Sequence, residues 1–231
     1  MKIKDSVIIV TGASAGIGLA TARLLSKLGA KVVLAARSTD KIKELEQEIP
    51  GSFAVSADMR NADDVRLLIE KTEKKFGRID ILINNAGQGM RANFENINIE
   101  NYKEIMELNV FGVVRAMQAV IPIMRKQGKG LILNISSRVS KNYFPGLSAY
   151  ASTKSAVNTI SLTAREELKK DNIIVSVFHP KMTATGFGQN SIGEKYESSA
   201  GYRNAPAIDT PEIVAVEIAK QIESEEAESM M

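Results

Sequence analysis

Short apolar runs alternate with amphipathic stretches along most of the chain. Each run is four to eight residues long, rich in Val, Ile and Leu, and nearly continuous in its apolar character. Such runs are typical of strands that are covered on both faces, as in a parallel sheet. The predicted strands lie at 6–11, 31–36, 52–57, 79–84, 130–135 and 173–178.

The stretches between these runs have helical spacing. In one of them, Val65, Leu68, Ile69 and Phe76 fall on a single helix face. Regular alternation of strand and helix predicts an α/β fold, a doubly wound and mostly parallel sheet of six to seven strands with helices on both faces. No internal repeat or linker divides residues 1–231, so we expect a single domain, and the end of the chain has room for only a stub of a last strand.

One long segment, 185–206, breaks this rhythm. It contains four Gly and one Pro and has no clear period. An irregular insertion after the carboxyl end of a strand often forms a lid over a site, although a plain surface loop is the alternative. Beyond it, Thr210 and Pro211 have the residue types of a helix cap and first helical position, so a helix is predicted to begin there.

Composition excludes several classes of function. The 231 residues are 44% hydrophobic and 25% charged, with no bilayer-length apolar run, which predicts a cytoplasmic protein. The absence of cysteine excludes disulfides and thiolate catalysis, and a single histidine, His179, cannot build a multi-histidine metal site. The 30 basic and 27 acidic residues are interspersed, so the net charge of +3 indicates a mixed surface rather than a nucleic-acid site.

A glycine-rich turn, TGASAGIG (11–18), follows the first predicted strand. Gly12, Gly16 and Gly18 have the spacing GxxxGxG. Glycines let a pyrophosphate approach the backbone closely, and the N-terminus of the following helix offers free N–H groups to it. The turn therefore favours dinucleotide binding, with tight packing alone as the alternative.

The end of the second strand predicts which dinucleotide binds. Enzymes that use NAD place an acidic residue there to bind the ribose hydroxyls. Here Ala36 occupies that position and Arg37 follows it. A guanidinium suits a 2′-phosphate, so NADP(H) is predicted over NAD(H) unless Arg37 is merely an exposed side chain.

Tyr150 and Lys154 are four positions apart in a helix-like run, YASTK. On a helix both side chains emerge on one face. A solvated helix face would explain the pair. A tyrosine whose pKa is lowered by the neighbouring ammonium, toward the pH at which it can exchange a proton, would explain it as well.

Taken in order, TGASAGIG, NNAG (84–87), Ser137 and YxxxK (150–154) resemble the classical short-chain dehydrogenase/reductase family over nearly the whole chain. The resemblance implies a Rossmann fold with strand order 3-2-1-4-5-6-7. It also implies hydride transfer between NADP(H) and a ketone, an aldehyde or a secondary alcohol. The implied catalytic residues are Asn109, Ser137, Tyr150 and Lys154, with Tyr150 as the general acid/base and the Asn109 carbonyl holding a relay water.

The resemblance also implies a set of cofactor-binding residues. Asp58 corresponds to the adenine-binding acid, and Lys154 would bind the nicotinamide ribose as well as act in catalysis. No metal is expected. The full set is Gly12, Ser14, Ala15, Gly16, Ile17, Gly18, Arg37, Asp58, Met59, Asn85, Ala86, Gly87, Tyr150, Lys154, Pro180, Thr183 and Thr185.

Two features depart from the family pattern. The usual PGxVxT after the sixth strand reads PKMTAT here, so that Lys181 replaces the glycine, as either an anion-binding or an exposed side chain. The chain also ends shortly after the last predicted helix, which favours a homodimer formed by the helices around 100–127 and 150–170 over a tetramer, with a monomer as the alternative.

The substrate is not specified by any motif. Candidate pocket residues mix aromatic, amphipathic and basic side chains, which suits a small or medium carbonyl compound; they are Gln88, Met90, Arg138, Tyr143, Phe144, Phe187, Tyr196 and Tyr202. A non-catalytic NADP(H)-binding sensor or scaffold of the same fold is the rival interpretation, and an assay of NADPH oxidation against carbonyl compounds separates the two.

Overall fold

The computed structural model of the protein describes residues 1–193 and 208–231. In this part of the chain the strands are numbered in chain order. They are β1 Val7–Thr11, β2 Lys31–Ala36, β3 Phe53–Ser56, β4 Ile81–Asn84, β5 Met90–Arg91, β6 Gly130–Ile135, β7 Ile173–His179, β8 Ile192–Gly193 and β9 Glu228–Met230.

Seven α-helices connect these strands. They are α1 Gly16–Lys27, α2 Thr39–Glu48, α3 Ala62–Phe76, α4 Ile99–Met106, α5 Gly112–Gln127, α6 Ser148–Leu168 and α7 Pro211–Ser224. A π-helical turn, Glu107–Phe111, joins α4 to α5, so that the helical run extends from 99 to 127. Short 3₁₀ turns lie at Phe94–Asn96, Arg138–Lys141 and Lys169–Asp171.

The main sheet has seven strands in the order β3-β2-β1-β4-β6-β7-β9, and every neighbouring pair is parallel. When β5 and β8 are left out of the numbering, this is the predicted order 3-2-1-4-5-6-7, and the predicted fold is confirmed. All six predicted strands are present within two residues of their expected bounds. The stub at the end of the chain is β9, and β5 and β8 form a separate parallel pair.

Alternate residues of each strand enter two apolar layers, one on each face of the sheet. Ile8 and Val10 pack with α1 and α7, whereas Ile9, between them, packs with α3, α5 and α6. Val65, Leu68 and Ile69 of α3 are buried in the second layer, as their spacing predicted. Because both faces are covered, the strands need no polar alternation.

Helix boundaries follow local chemistry. The Asn61 side chain accepts hydrogen bonds from the N–H groups of Asp63 and Asp64 at the start of α3, and Gly77 ends it in the left-handed conformation at φ 73°. Thr210 caps α7 in the predicted way, accepting from the Ile213 N–H, with Pro211 at the first helical position.

The helical run Ile99–Gln127 is long and apolar enough to cross a membrane by length and composition. However, 44% of its most apolar window is buried inside the protein. Its α5 portion places Val113, Met117 and Val120 in the second apolar layer. The apolar character of the run therefore reflects a helix that belongs to the core.

A buried carboxylate ties the amino ends of three strands together. Asp80 is 1% exposed, and its side chain accepts from the Val7 N–H at 2.8 Å and from the Arg78 guanidinium. Its backbone N–H donates to the Val7 carbonyl, and its own carbonyl accepts from the Leu131 N–H. The carboxylate is thus satisfied on both sides where β1, β4 and β6 begin.

Replacing this carboxylate should destabilise the whole fold. Asp80→Ala leaves the buried Val7 N–H without an acceptor, which costs about 1–3 kcal/mol, whereas the half-exposed Arg78 guanidinium can turn to water. Urea unfolding monitored by circular dichroism measures this change in the free energy of unfolding. Asp63→Ala, which removes an exposed partner of Arg66, is the control, and an equal loss in both variants would contradict the role given to Asp80.

Candidate active site

The sequence-predicted site residues converge at the carboxyl ends of β1, β4, β6 and β7. The strand order reverses direction between β1 and β4, and ligands of open α/β sheets bind in the crevice outside such a point. The glycine-rich turn follows β1, the NNAG turn follows β4, and Ser137 follows β6. Helix α6 then brings Tyr150 and Lys154 to the same edge.

Thr11 holds the two cofactor turns together. Its hydroxyl accepts from the N–H groups of Asn85 and Ala86, both at 3.0 Å, and donates to the Ile83 carbonyl at 3.3 Å. The Asn85 side chain donates back to the Thr11 carbonyl at 2.9 Å. These bonds fix the turn after β4 against the turn after β1.

The glycine-rich turn has the shape that a pyrophosphate needs. Gly12 has φ +66°, and a Cβ there would lie 2.9 Å from the Asn85 amide nitrogen; at Gly18 it would lie 2.4 Å from the Gly12 carbonyl oxygen. Helix α1 begins at Gly16 with no side-chain cap and no acidic residue in its first turn. The open backbone and free N–H groups fit a dinucleotide phosphate.

At the other end of the crevice, Arg37 is exposed after β2, and its charge helps to lower the pKa of Asp58. The larger cause is Arg60, whose guanidinium donates to both Asp58 oxygens at 2.6–3.1 Å. The carboxylate expected to bind adenine is therefore already occupied by a cation that sequence reasoning missed. A cofactor amino group would compete with Arg60 for it.

Tyr150, Lys154 and Ser137 lie together. The Ser137 hydroxyl is near enough to the Tyr150 phenol to lower its pKa, and it accepts a hydrogen bond from the Val139 N–H at 3.3 Å. The Lys154 ammonium lies 5.9 Å from the centre of the Tyr150 ring and donates to the Ile135 carbonyl at 2.8 Å. Tyr150 is 9% exposed and Lys154 5%, so the pair does not belong to a solvated helix face.

Burial is the main cause of the pKa shifts of Tyr150 and Lys154. It raises the pKa of Tyr150 well above its ordinary value, an effect that the Ser137 hydrogen bond only partly offsets. It also lowers the pKa of Lys154 to about 8, because the interior disfavours the ammonium. The predicted lowering of the Tyr150 pKa is thus wrong for this state, since the ammonium is directed at Ile135 and desolvation of the phenol outweighs its effect.

Asn109 is fully buried in the π-helical turn. Its side chain forms two hydrogen bonds with the Gln88 backbone, accepting from the N–H at 2.8 Å and donating to the carbonyl at 2.9 Å. It also donates to the Thr153 hydroxyl. The side chain therefore joins the turn after β4 to helix α6. π-turns inside α-helices are frequent at functional sites.

The segment after β7 crosses the glycine-rich turn. Pro180 is buried, and a Cβ at Gly16 would lie 3.1 Å from the Thr185 methyl group. Thr183 forms a parallel bridge with Asp209, and the Thr183 hydroxyl donates to the Lys181 carbonyl. Lys181 is not among the residues with a positive φ, so its backbone conformation does not require glycine, and its ammonium lies 3.9 Å from the Asp209 carboxylate.

On the substrate side, Phe187 packs against Tyr150 with ring centres 5.6 Å apart. The β5–β8 pair and the bond from Gln88 to the Asn190 carbonyl hold this part of the loop against the turn after β4. Met90 is buried at the start of β5, and Tyr143 is fully exposed. Two candidate pocket residues, Tyr196 and Tyr202, lie outside the described residues, as do 194–206 of the predicted lid.

Two residues that join parts of the site, Asn134 and Ser161, lie outside the motifs quoted above. Asn134 accepts from the Asn84 amide at 2.8 Å and donates to the Ser161 hydroxyl at 2.7 Å, which links β4, β6 and α6 beneath the site. Thr11 and Thr153 have similar bridging roles. The one signal in the sequence is a polar residue at the end of an otherwise apolar run.

Comparison with known proteins agrees with this geometry. The short chain dehydrogenase profile matches residues 6–195. The chain belongs to the short-chain dehydrogenase family. It is 39% identical over 188 residues to an uncharacterised oxidoreductase of Staphylococcus saprophyticus, an alignment that covers 79% of this chain and 76% of the relative.

Two solved structures of similar fold contain nicotinamide nucleotides. One is an alcohol dehydrogenase of the archaeon Thermococcus sibiricus complexed with 5-hydroxy-NADP, with TM-score 0.86, 28% identity, and coverage of 99% of this chain and 96% of that one. The other is a 3-ketoacyl-(acyl-carrier-protein) reductase of Brucella melitensis complexed with NADH, with TM-score 0.86, 29% identity, and coverage of 95% and 91%. The protein is thus an oxidoreductase of this family with a nucleotide-binding Rossmann fold.

Burial of Lys154 predicts a pH-dependent cost in stability. Its pKa in the folded protein, about 8, is below the ordinary 10.5, so the folded state loses this proton first as the pH rises. Between these values the unfolded chain binds more protons, and the native protein should gain up to about 3 kcal/mol relative to Lys154→Met. Urea unfolding at pH 7 to 10.5 measures the difference.

The exposed Lys71→Met is the control, for which the difference from the native protein should stay constant over the same range. A constant difference for Lys154→Met as well would show that burial does not disfavour the ammonium.

Proposed function

We propose that this short-chain dehydrogenase reduces a ketone or an aldehyde with NADPH, or oxidises the corresponding secondary alcohol with NADP. The observation that carries the proposal is the buried pair of Tyr150 and Lys154, with the half-buried Ser137 hydroxyl near enough to the phenol to lower its pKa. The glycine cradle that would hold the cofactor phosphates lies at the same edge of the sheet.

In the proposed reaction, the substrate oxygen accepts hydrogen bonds from the Ser137 hydroxyl and the Tyr150 phenol. NADPH, when bound, supplies the hydride, and its oxidised form leaves a positive charge in the crevice. Negative charge develops on the substrate oxygen as the carbonyl is reduced, and two donors in a water-poor site stabilise that charge. Tyr150 then gives its proton to the oxygen as general acid.

The titration behaviour supports these roles in the direction of reduction. The raised pKa of Tyr150 keeps the phenol protonated at neutral pH, which is the form that can donate. Lys154, with a pKa of about 8, is mostly an ammonium at the same pH and would stabilise the phenolate left behind. The Asn109 carbonyl is proposed to hold a water that returns a proton to this pair.

We propose NADP(H) as the preferred cofactor. Support comes from Ala36, which leaves no carboxylate to repel a 2′-phosphate, and from the exposed Arg37 guanidinium beside it. The N–H groups at the start of α1 and the turns at 11–18 and 84–87 would bind the rest of the nucleotide, and Asp58 would bind adenine in competition with Arg60.

We further propose that the protein works in the cytoplasm as a homodimer on a small-molecule substrate. Support for the dimer comes from exposed apolar side chains on the helical run 99–127, where Ile99 is 58% and Phe111 47% exposed. Packing such a face against its symmetry copy would remove both side chains from water.

Removing the phenol should abolish turnover. Tyr150→Phe is expected to lower kcat by about 10³-fold, the scale of a lost general acid. NADPH oxidation against a panel of ketones and aldehydes measures turnover, and cofactor fluorescence measures NADPH binding, which should change by less than about twofold because Tyr150 contributes only a fraction of the contacts.

A matched control is Tyr102→Phe, which also removes a hydroxyl that bonds to helix α6, at Ser152, and which should retain activity. Full activity in Tyr150→Phe would refute the mechanism. If the native protein binds NADPH but oxidises it with no member of the panel, a nucleotide-binding sensor or scaffold is the better interpretation.

Removing the Arg37 guanidinium should erase the preference for NADP(H). Arg37→Ala is expected to raise KM for NADPH by about 10- to 100-fold, the value of a charge-assisted contact, and to leave KM for NADH nearly unchanged. Steady-state kinetics with both cofactors measures this, with the exposed Arg66→Ala on α3 as the control. A native preference for NADH would overturn the cofactor assignment.

A further inference from the structure

The single histidine of the protein lies beneath the site and takes no part in the chemistry proposed above. His179 is the last residue of β7 and is fully buried. Its ring faces two different parts of the chain. Nδ1 lies 3.2 Å from the Ser137 carbonyl oxygen, and Nε2 lies 2.7 Å from the Glu228 carboxylate.

Glu228 is the first residue of β9, the edge strand at the end of the chain. Parallel pairing places it opposite Val177 and therefore on the same face of the sheet as His179. Lys141 holds the same carboxylate oxygen at 2.8 Å. This ion pair with Lys141 and the bond to His179 lower the pKa of Glu228, so the group that faces the ring at neutral pH is an anion.

Three nitrogen or hydroxyl groups lie within hydrogen-bond distance of the Ser137 carbonyl oxygen. The Ser140 hydroxyl donates to it at 2.7 Å and the Ser140 N–H at 3.1 Å, and Asn158 of α6 donates to that same hydroxyl at 2.9 Å. Nδ1 of His179 is the third group, and it also lies 3.4 Å from the Ser140 hydroxyl oxygen. Main-chain rotation at Ser137 would break these contacts, and it would also turn the hydroxyl away from Tyr150.

We propose that His179 and Glu228 act as a positioning pair that fixes the main chain of Ser137, so that the C-terminal strand β9 helps to set the catalytic hydroxyl. Acceptor atoms stand at both ring nitrogens, the Ser137 carbonyl at one and the Glu228 carboxylate at the other. A hydrogen on Nδ1 would donate to the Ser137 carbonyl oxygen. The charged groups facing the ring are Glu228 and, through it, Lys141.

The proposal rests on the role of Ser137 in the proposed reductase reaction. Two amide substitutions at position 179 separate the contact with Ser137 from the contact with Glu228. An asparagine amide at 179 reaches about as far as Nδ1 and keeps a donor for Ser137, whereas a glutamine amide reaches about as far as Nε2 and keeps only the contact with Glu228. His179→Gln should therefore lower kcat about tenfold, the value of one hydrogen bond, and His179→Asn should retain most of it.

The affinity for NADPH should be the same in both variants, since neither touches the glycine cradle. The proposal would be overturned if His179→Gln had the same kcat as the native protein. It would also be overturned if both variants lost kcat equally and lost NADPH affinity equally, because His179 would then only fill space.

A second measurement does not depend on turnover. Because His179 is the only histidine, ¹⁵N-histidine labelling gives one ring in the NMR spectrum, and Nδ1 should carry a hydrogen. Glu228→Gln should shift the amide resonances of residues 137–140, and Glu223→Gln, which removes an exposed charge from α7, should leave them in place. An Nδ1 without hydrogen, or unshifted amides in Glu228→Gln, would overturn the link.

The two proposals can fail separately. If Nδ1 of His179 carries a hydrogen but the protein reduces no carbonyl compound, the reductase function is refuted and the link between β9 and Ser137 stands. Turnover with an unchanged kcat in His179→Gln would refute the link alone.

Discussion

The ammonium of Lys154 is held where water hardly reaches it, and much of the site follows from that constraint. A buried cation is costly unless it finds a partner. Here the Ile135 carbonyl, the last residue of β6, supplies one at 2.8 Å. The bond draws the first turns of α6 onto the carboxyl end of the sheet, which places Tyr150 beside Ser137. The geometry of the candidate site and the cost in stability thus have the same origin.

Beneath this group lies a layer of buried side-chain amides and hydroxyls that the apolar core encloses. Asn84, Asn134 and Ser161 bond in series across β4, β6 and α6, and Asn109 joins Gln88 to Thr153. Such a network is favourable only when its members are satisfied, and it then permits one arrangement. The loops that carry the site are therefore fixed by bonds to the sheet instead of by packing alone.

Patterns local in sequence were sufficient to predict the fold and to nominate the candidate site residues that the fold brings to one edge of the sheet. Continuous apolar runs specified the strands, and parallel strands must place their carboxyl ends at one edge, which brought Gly12, Ser137 and Tyr150 together. Contacts that depend on the folded chain could not be predicted from these patterns. The β5–β8 pair joins residues about a hundred positions apart, and Arg60 engages Asp58 through a local fold of the chain that no motif marks.

The pKa of Tyr150 was mispredicted for the same reason. Spacing along a helix indicates that an ammonium is near a phenol, but it says nothing of how much water both have lost. That depends on Phe187, which packs on the ring from a loop after β7, and on the depth at which α6 meets the sheet. Desolvation disfavours the charged form of both groups, so it raises the pKa of an acid such as Tyr150 and lowers the pKa of a base such as Lys154.

Burial consequently shifts the two pKa values in opposite directions, upward for Tyr150 and downward for Lys154. In the proposed reduction, a phenol of raised pKa keeps its proton until negative charge develops on the substrate oxygen bonded to it. The charge of the Lys154 ammonium would then stabilise the phenolate that is left. The same desolvation that makes the Lys154 ammonium costly to the fold therefore also keeps the Tyr150 phenol protonated at neutral pH, the form that the proposed reduction requires.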